Sequence, residues 1–255
     1  MSSLPTPESR SFDEVFAGVS HIQGWMTPAQ ARRLWDSASA LHPGDRVVEI
    51  GSYQGRSTVV LASAVPDGAE VHAIDPHGGT DRGPQEISGK ELEAEGDSRI
   101  FQENLDDAGI RDRVVYHREW SQAALAELAG EVELLYIDGA HRYAPARDDI
   151  RRWGQRVAPG GTMLIHDSFS SIGVTGALLT SLTFSSGWRY VGRAGSMTEY
   201  RREPVPDGER LANAGRQLAQ MPYFFSNLVI KAMIAAKLRP LTRYLGYDPS
   251  RDWPH

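Results

Sequence analysis

The sequence contains no cysteine. Disulfides, thiolate zinc sites and thiol nucleophiles are therefore excluded, and the redox compartment leaves no trace in cysteine usage. Nowhere do about 18 apolar residues follow one another, so no membrane-spanning helix is expected. Met1–Arg10 is polar and carries Pro5 and Pro7 without the apolar stretch of a signal peptide, so the chain reads as cytoplasmic. Positive charge is in the minority: 27 Lys and Arg against 33 Asp and Glu give a net charge of -6, which offers no broad attraction for nucleic acid. Internal repeats and low-complexity tracts are also missing. What remains is 255 residues, 40% hydrophobic and 24% charged, enough for one large α/β domain with an appendage.

Residues 1 to about 11 read as a disordered lead. Thr27-Pro28-Ala29-Gln30 then opens a helix, with Thr27 as N-cap, Pro28 at the first helical position and Gln30 completing a capping box. Ala31, Leu34, Trp35, Ala38 and Leu41 continue it at helical spacing, and His42-Pro43-Gly44-Asp45 ends it. Short apolar runs and amphipathic stretches then alternate. Strands are expected over Arg46–Ile50, Glu70–Ile74, Arg113–His117, Glu133–Ile137 and Thr162–His166. Helices are expected over Ser57–Ala64, Arg99–Ala108, Gln122–Leu128, Ala146–Val157 and Val174–Leu182. Runs such as Arg46-Val47-Val48-Glu49-Ile50 suit strands covered on both faces, and the alternation implies right-handed parallel crossovers. The prediction is a doubly wound α/β sheet, mostly parallel, closed by a terminal antiparallel hairpin over Trp188–Val191 and Met197–Tyr200. Gly78–Gly96 reads as a long loop of the kind that often serves as a lid.

The domain limits that follow are a lead over 1–23, the α/β domain over 24–203 and a helical extension over 204–255. In that extension Tyr223–Leu238 is apolar and helical, with Lys231, Lys237, Arg239 and Arg243 on or just after it. Such a helix can pack on a partner subunit in a homodimer, cover a substrate site or lie on a membrane surface; packing on protein is the plainest of these.

Glu49-Ile50-Gly51-Ser52-Tyr53-Gln54-Gly55-Arg56-Ser57 runs from the first strand into a helix. Gly51 permits a tight turn and close backbone approach to a ligand, and Gly55 a tight helix–strand contact. Neither the Gly-x-Gly-x-x-Gly dinucleotide fingerprint nor a P-loop is present. A ligand without phosphate fits better, and Glu49 would face its cationic amino group. Asp75, ending the second strand, can accept hydrogen bonds from both hydroxyls of a ribose. Trp120 and Ser121 follow the third strand, where they can pack on or hydrogen-bond an adenine; Trp120 reads equally well as core. A nucleoside cofactor is the expectation.

A second cluster forms at the ends of the fourth and fifth strands: Asp138, His141, His166 and Asp167. Two carboxylates and up to two imidazoles converging on one crevice suggest a divalent metal site, with Asp138, His166 and Asp167 as ligands. A metal-bound hydroxyl is more acidic, and His141 could remove its proton. Asp167 could instead merely cap the next helix.

Val48-Glu49-Ile50-Gly51-Ser52-Tyr53-Gln54-Gly55-Arg56-Ser57 resembles the first motif of class I S-adenosylmethionine-dependent methyltransferases, and Ile74-Asp75 their second. Leu135-Tyr136-Ile137-Asp138-Gly139-Ala140-His141 and Ala158-Pro159-Gly160-Gly161-Thr162 resemble their fourth strand and the turn before the fifth. The resemblance implies S-adenosylmethionine on Glu49, Gly51, Ser52, Tyr53, Gly55, Ser57, Asp75, Trp120, Ser121 and Asp138. Metal-assisted sugar and small-molecule O-methyltransferases of this family place acidic ligands where Asp138 and Asp167 stand, which implies Mg2+. His166-Asp167 departs from the two adjacent acids often found there, which puts magnesium in doubt. Ile137-Asp138-Gly139-Ala140-His141-Arg142-Tyr143 is similar to sugar-directed bacterial members, including those acting on mycobacterial methylmannose polysaccharides. The activity implied is methylation of a hydroxyl on a sugar or oligosaccharide, with His141 and Asp138 catalytic and Tyr53, Arg142, Tyr143 and Ser168 at the acceptor. A catechol or hydroxylated natural product would serve as acceptor equally, and a silent nucleoside-binding module is the alternative of another class.

Overall fold

The computed structural model describes residues 10–78 and 91–248, with side chains from 95 onward in the second stretch. The element order is α1 (Phe12–Gly18), α2 (Pro28–Ser39), β1 (Arg46–Ile50), α3 (Arg56–Ala64), β2 (Glu70–Ile74), α4 (Glu91–Asp107), β3 (Val114–His117), α5 (Ser121–Glu127) and β4 (Val132–Ile137). It continues with α6 (Tyr143–Gly154), β5 (Val157–Ile165), α7 (Ile172–Ser181), β6 (Trp188–Ala194), β7 (Met197–Arg202), α8 (Asp207–Leu218) and α9 (Met221–Ala235). A 3-10 turn, Arg239–Leu245, follows α9.

The strands form one sheet in the order β3-β2-β1-β4-β5-β7-β6. The first five are parallel, while β7 pairs antiparallel with both β5 and β6. The order reverses between β1 and β4, and ligands of open α/β sheets bind at such a switch point. Continuous apolar strands follow from two covered faces. Val47, Val71 and Leu134 point into one core, shared with α1, α2 and α3; Val48, Ile74 and Leu135 point into the other, shared with α6 and α7. The doubly wound sheet and its terminal hairpin are thus as the pattern predicts.

Several boundaries differ for physical reasons. The capping box at Thr27 and Gln30 is present, but a second one, Ser11 with Glu14, opens α1 inside the expected lead. Phe12, Val15, Val19 and Ile22 are buried in the main core, so the chain shows no break at residue 24. β5 begins at Val157 rather than Thr162, because a register shift absorbs the Pro159-Gly160-Gly161 turn signals within the strand. Of the loop expected over 78–96, residues 79–90 lie outside the described residues, and the chain is helical from Glu91. α8 gave no apolar period because its inward face is polar: Asn213 donates to the Trp188 carbonyl and accepts from Tyr190 N, and Gln217 accepts from the Tyr200 hydroxyl. These bonds dock the C-terminal extension onto the sheet.

Candidate active site

Three strand tips are tied together at the switch point. Gly51 N donates to Ile74 O and Asp138 N to Ile50 O, both at 2.8 Å. Gly51 has φ +88, and a Cβ there would lie 2.3 Å from the Asp138 carbonyl oxygen. The neighbouring β4 backbone by itself requires a glycine at this position. Gly55, at φ +89, caps α3 and lets the ring of Phe101 approach; a Cβ would sit 3.1 Å from it.

Between these glycines Tyr53 takes φ 45, a conformation a large side chain adopts only under constraint. The constraint is visible. Asp75 accepts the Tyr53 N–H on one oxygen and the His77 N–H on the other, each at 2.8 Å. The His77 Nε2 lies 2.6 Å from the Tyr53 carbonyl, which can only accept, so this nitrogen carries the proton and Nδ1 accepts from the Tyr116 hydroxyl at 2.6 Å. Asp75 and His77 thus hold the bend, and Asp75 itself is not part of the lining of the cavity above it. Ser52 is buried, and its hydroxyl has no hydrogen-bond partner. An unmet buried hydroxyl beside a turn of this kind suits a polar ligand.

Glu49 does not face that ligand space. It is fully buried, and its two oxygens accept from the Ser57 and Thr58 hydroxyls. Burial raises its pKa from 4.5 to about 7, against the lowering effect of those hydroxyls. Ser57 itself lines the cavity and screens Glu49 from it. Trp120 is half exposed at the N-cap of α5. Ser121 directs its hydroxyl to Asp149 at 2.5 Å, so the adenine contact expected from that side chain is not what this structure shows. Burial also raises the Asp149 pKa, from 3.8 to about 6.

A cavity of about 610 Å³ opens above the bend. Gly51, Ser52, Tyr53 and Ser57 line one side; Asp138, His141, Arg142, His166 and Asp167 line another. The His141 Nε2 lies 2.5 Å from the Asp167 Oδ2, while its Nδ1 is buried and without a hydrogen-bond partner. Burial disfavours the imidazolium, but the Asp167 hydrogen bond and the charges of Asp167 and Asp138 outweigh it and raise the His141 pKa above its usual value. Asp138 accepts from the buried Tyr136 hydroxyl at 2.9 Å and has its Oδ1 3.2 Å from His166 Nδ1. That contact lacks hydrogen-bond alignment, and His166 Nε2 has no partner either. Asp138, His166 and Asp167 each offer a ligand atom, all within 4.8 Å of one another. Asp167 stands at φ 54 on the turn leaving β5, where its carbonyl accepts from Ser170 N and Ser171 N. Turn and carboxylate are therefore both used.

Two expected acceptor residues stand elsewhere. Ser168 is fully buried, its hydroxyl bonded to Ile165 O and to the Thr198 hydroxyl, so Ser170 and Ser171 take its place on the wall. Tyr143 packs over Gly176, and its hydroxyl meets Thr180 at 3.2 Å, outside the cavity lining. Conversely, Gln23, Gly24, Trp25 and Met26 from the N-terminal segment line the cavity, as do Leu228 and Lys231 of α9. The Trp25 ring stacks on Tyr53 with centroids 6.0 Å apart. Lys231 donates to the Ser170 carbonyl at 2.8 Å, and burial lowers its pKa. No local motif marks these residues; only Arg56, which donates to the Gly24 carbonyl from the bend motif, ties that segment to a recognisable stretch.

A family model described as a methyltransferase domain matches residues 48–168. Residues 48–168 are thus similar to a methyltransferase domain. Their span runs from β1 to the turn after β5 and holds the bend and the Asp138–His141–Asp167 cluster together. The O-methyltransferase TomG from Streptomyces achromogenes, involved in tomaymycin synthesis and solved in complex with SAM, is similar at TM-score 0.56 and 15% identity, over 75% of this chain and 89% of that one. The O-methyltransferase NovP is similar at TM-score 0.55 and 17% identity, over 69% and 80%. An O-methyltransferase from Bacillus cereus in complex with SAH is similar at TM-score 0.50 and 16% identity, over 76% and 89%. At such identities the likeness concerns the fold. The match to the family model and the shared fold both concern the region from β1 to the turn after β5 and the sheet around it.

Proposed function

We propose that this chain transfers the methyl group of S-adenosylmethionine to a hydroxyl of a ring-shaped small molecule, a sugar or oligosaccharide in the first instance. One observation carries the reading. The His141 ring lies on the wall of the same cavity that the Gly51–Ser57 bend floors, and its Nε2 is held 2.5 Å from the Asp167 carboxylate. In the reaction the acceptor oxygen attacks the methyl carbon, the carbon–sulfur bond breaks with its electron pair going to sulfur, and His141 takes the hydroxyl proton. Asp167 fixes the ring orientation and stabilises the imidazolium formed. Alignment of the two reactants is worth about 7–11 kcal/mol, and a placed base about 10²–10⁴-fold, so positioning by the bend and the cavity walls contributes most.

Ser52 would hold the polar end of the donor on the bend that Asp75 braces. The stacked pair Trp25–Tyr53 gives a ring-shaped acceptor a face to lie on. A second reading, a hydroxylated aromatic or natural product, is favoured by Met26, Ile172 and Leu228 in the lining. The net charge of -6 favours a small acceptor over nucleic acid.

Asp138, His166 and Asp167 would hold a divalent cation. The His166 Nδ1 beside Asp138 and Asp167, without a hydrogen bond, and the mixed nitrogen and oxygen donors suit manganese, iron or zinc better than Mg2+, which prefers oxygen alone. Bound there, such a cation supplies acidification of an acceptor hydroxyl. The test is labelled methyl transfer to a panel of sugars and phenols, with and without chelator, beside calorimetric titration of the donor. Donor binding with chelator-sensitive transfer to a sugar supports the full reading. Chelator-insensitive transfer removes the cation, and absence of donor binding overturns the whole.

A further inference from the structure

α9 is largely apolar, and among the described residues the rest of the chain covers only one side of it. On the inner side Phe224 and Ile230 are buried, Asn227 donates to the Phe169 carbonyl at 3.0 Å, and Leu228 and Lys231 line the cavity. On the outer side Phe225 is 57% and Val229 49% exposed. A helix apolar all round is normally covered all round. The bare face continues past the helix: Leu238, Leu241, Tyr244 and Leu245 are exposed as well. Scattered exposed apolar side chains are ordinary, whereas a continuous run of large ones marks an interaction surface.

The charge on this segment narrows the partner. Lys237, Arg239 and Arg243 are its cations outside the cavity, Lys231 being turned inward to the Ser170 carbonyl, and residues 221–247 contain no Asp or Glu, in a chain whose net charge is -6. Two-fold contact with a second copy would set these cations against their own counterparts with no acid of the segment between them. Nucleic acid would satisfy the cations and leave Val229, Leu238, Leu241 and Leu245 in water. An anionic bilayer satisfies both: aliphatic and aromatic groups enter the boundary between headgroups and acyl chains, while lysine and arginine meet the lipid phosphates. Among the described residues no helix is long and apolar enough to cross a membrane, so the contact is with the surface.

We propose that α9 and the Arg239–Leu245 turn dock the protein on an anionic lipid surface. The docking does not depend on the methyl-transfer reading, and its test needs no donor or acceptor. The full chain is floated with phosphatidylcholine vesicles and with phosphatidylcholine–phosphatidylglycerol vesicles. Association with the second kind, weakened by salt, is the expected result. Phe225→Ser with Leu241→Ser lowers the partition coefficient at least about tenfold, and Lys237→Gln with Arg243→Gln lowers it about fivefold per cation. Unchanged circular dichroism and thermal midpoint show that both variants fold. The proposal is overturned if the protein stays in the aqueous fraction, or if both variants float as the parent does. A dimer in equilibrium sedimentation that Phe225→Ser with Leu241→Ser dissolves overturns it too, as does binding to polyuridylate with an affinity those two substitutions leave unchanged.

Discussion

The two halves of the cavity are built in opposite ways. The half around Gly51–Ser57 and Asp75 is held by backbone: three strand tips joined through main-chain hydrogen bonds, and a carboxylate that accepts two main-chain N–H groups. The half around His141 is made of side chains from four separate stretches, the N-terminal segment, the β4 and β5 ends, and α9. A backbone-built seat tolerates little change but can be fixed by a short motif. A wall of side chains can vary residue by residue with the fold intact, which suits a donor shared across a family and an acceptor that differs.

The widest separation of the halves is expected from His141→Ala. Turnover should fall about 10²–10⁴-fold while the donor dissociation constant in calorimetry stays within experimental scatter; equal loss of both would merge the two halves. Gly51→Ala should act in the opposite manner. Its Cβ meets the Asp138 carbonyl at 2.3 Å in a left-handed backbone, so stability should drop by roughly 3 kcal/mol or more, read as a lowered thermal midpoint with donor binding lost alongside. A midpoint equal to the parent's would show that the strand tips yield more easily than the main-chain bonds suggest.

Glu49→Gln sharpens the comparison through pH. The folded pKa of about 7 lies above the ordinary glutamate value of 4.5. The stabilisation from protonated Glu49 is therefore complete below about pH 4.5 and disappears as pH climbs through 7. The amplitude is on the order of 3 kcal/mol. Denaturant unfolding across that window should show the decline in the parent and a flatter profile in the variant; parallel profiles would mean that Glu49 ionises without penalty. The smallest effect is that of Trp25→Ala, which should raise the acceptor KM about tenfold through loss of a stacking face and leave donor affinity alone.

The same division explains what could be read from the amino acids. Gly51, Gly55, Asp75 and Asp138 lie within or beside strand ends whose apolar runs are unmistakable, so the pattern located both the sheet and the bend. The spacing of Glu49 to Gly51 says nothing of Ser57 and Thr58 in the first turn of α3, which take both its oxygens. Ser168 was placed on the wall by sequence proximity to Asp167. The left-handed residues Asp167 and Phe169 turn the chain so that Ser168 points into the core and Ser170 lies at the cavity wall. α8 escaped notice because amide side chains, not apolar ones, make its contacts. Trp25 and Lys231 carry no signal at all, since their place beside His141 depends on packing between the chain's two ends.

That meeting of the ends has an evolutionary corollary. The segment before α2 and the helix α9 flank residues 48–168 in sequence yet share one chamber in space. Exchanging either flank between relatives would remodel the chamber and spare the seat beneath it. New acceptors could arise by swapping terminal segments, a route that leaves the reacting centre under unbroken selection.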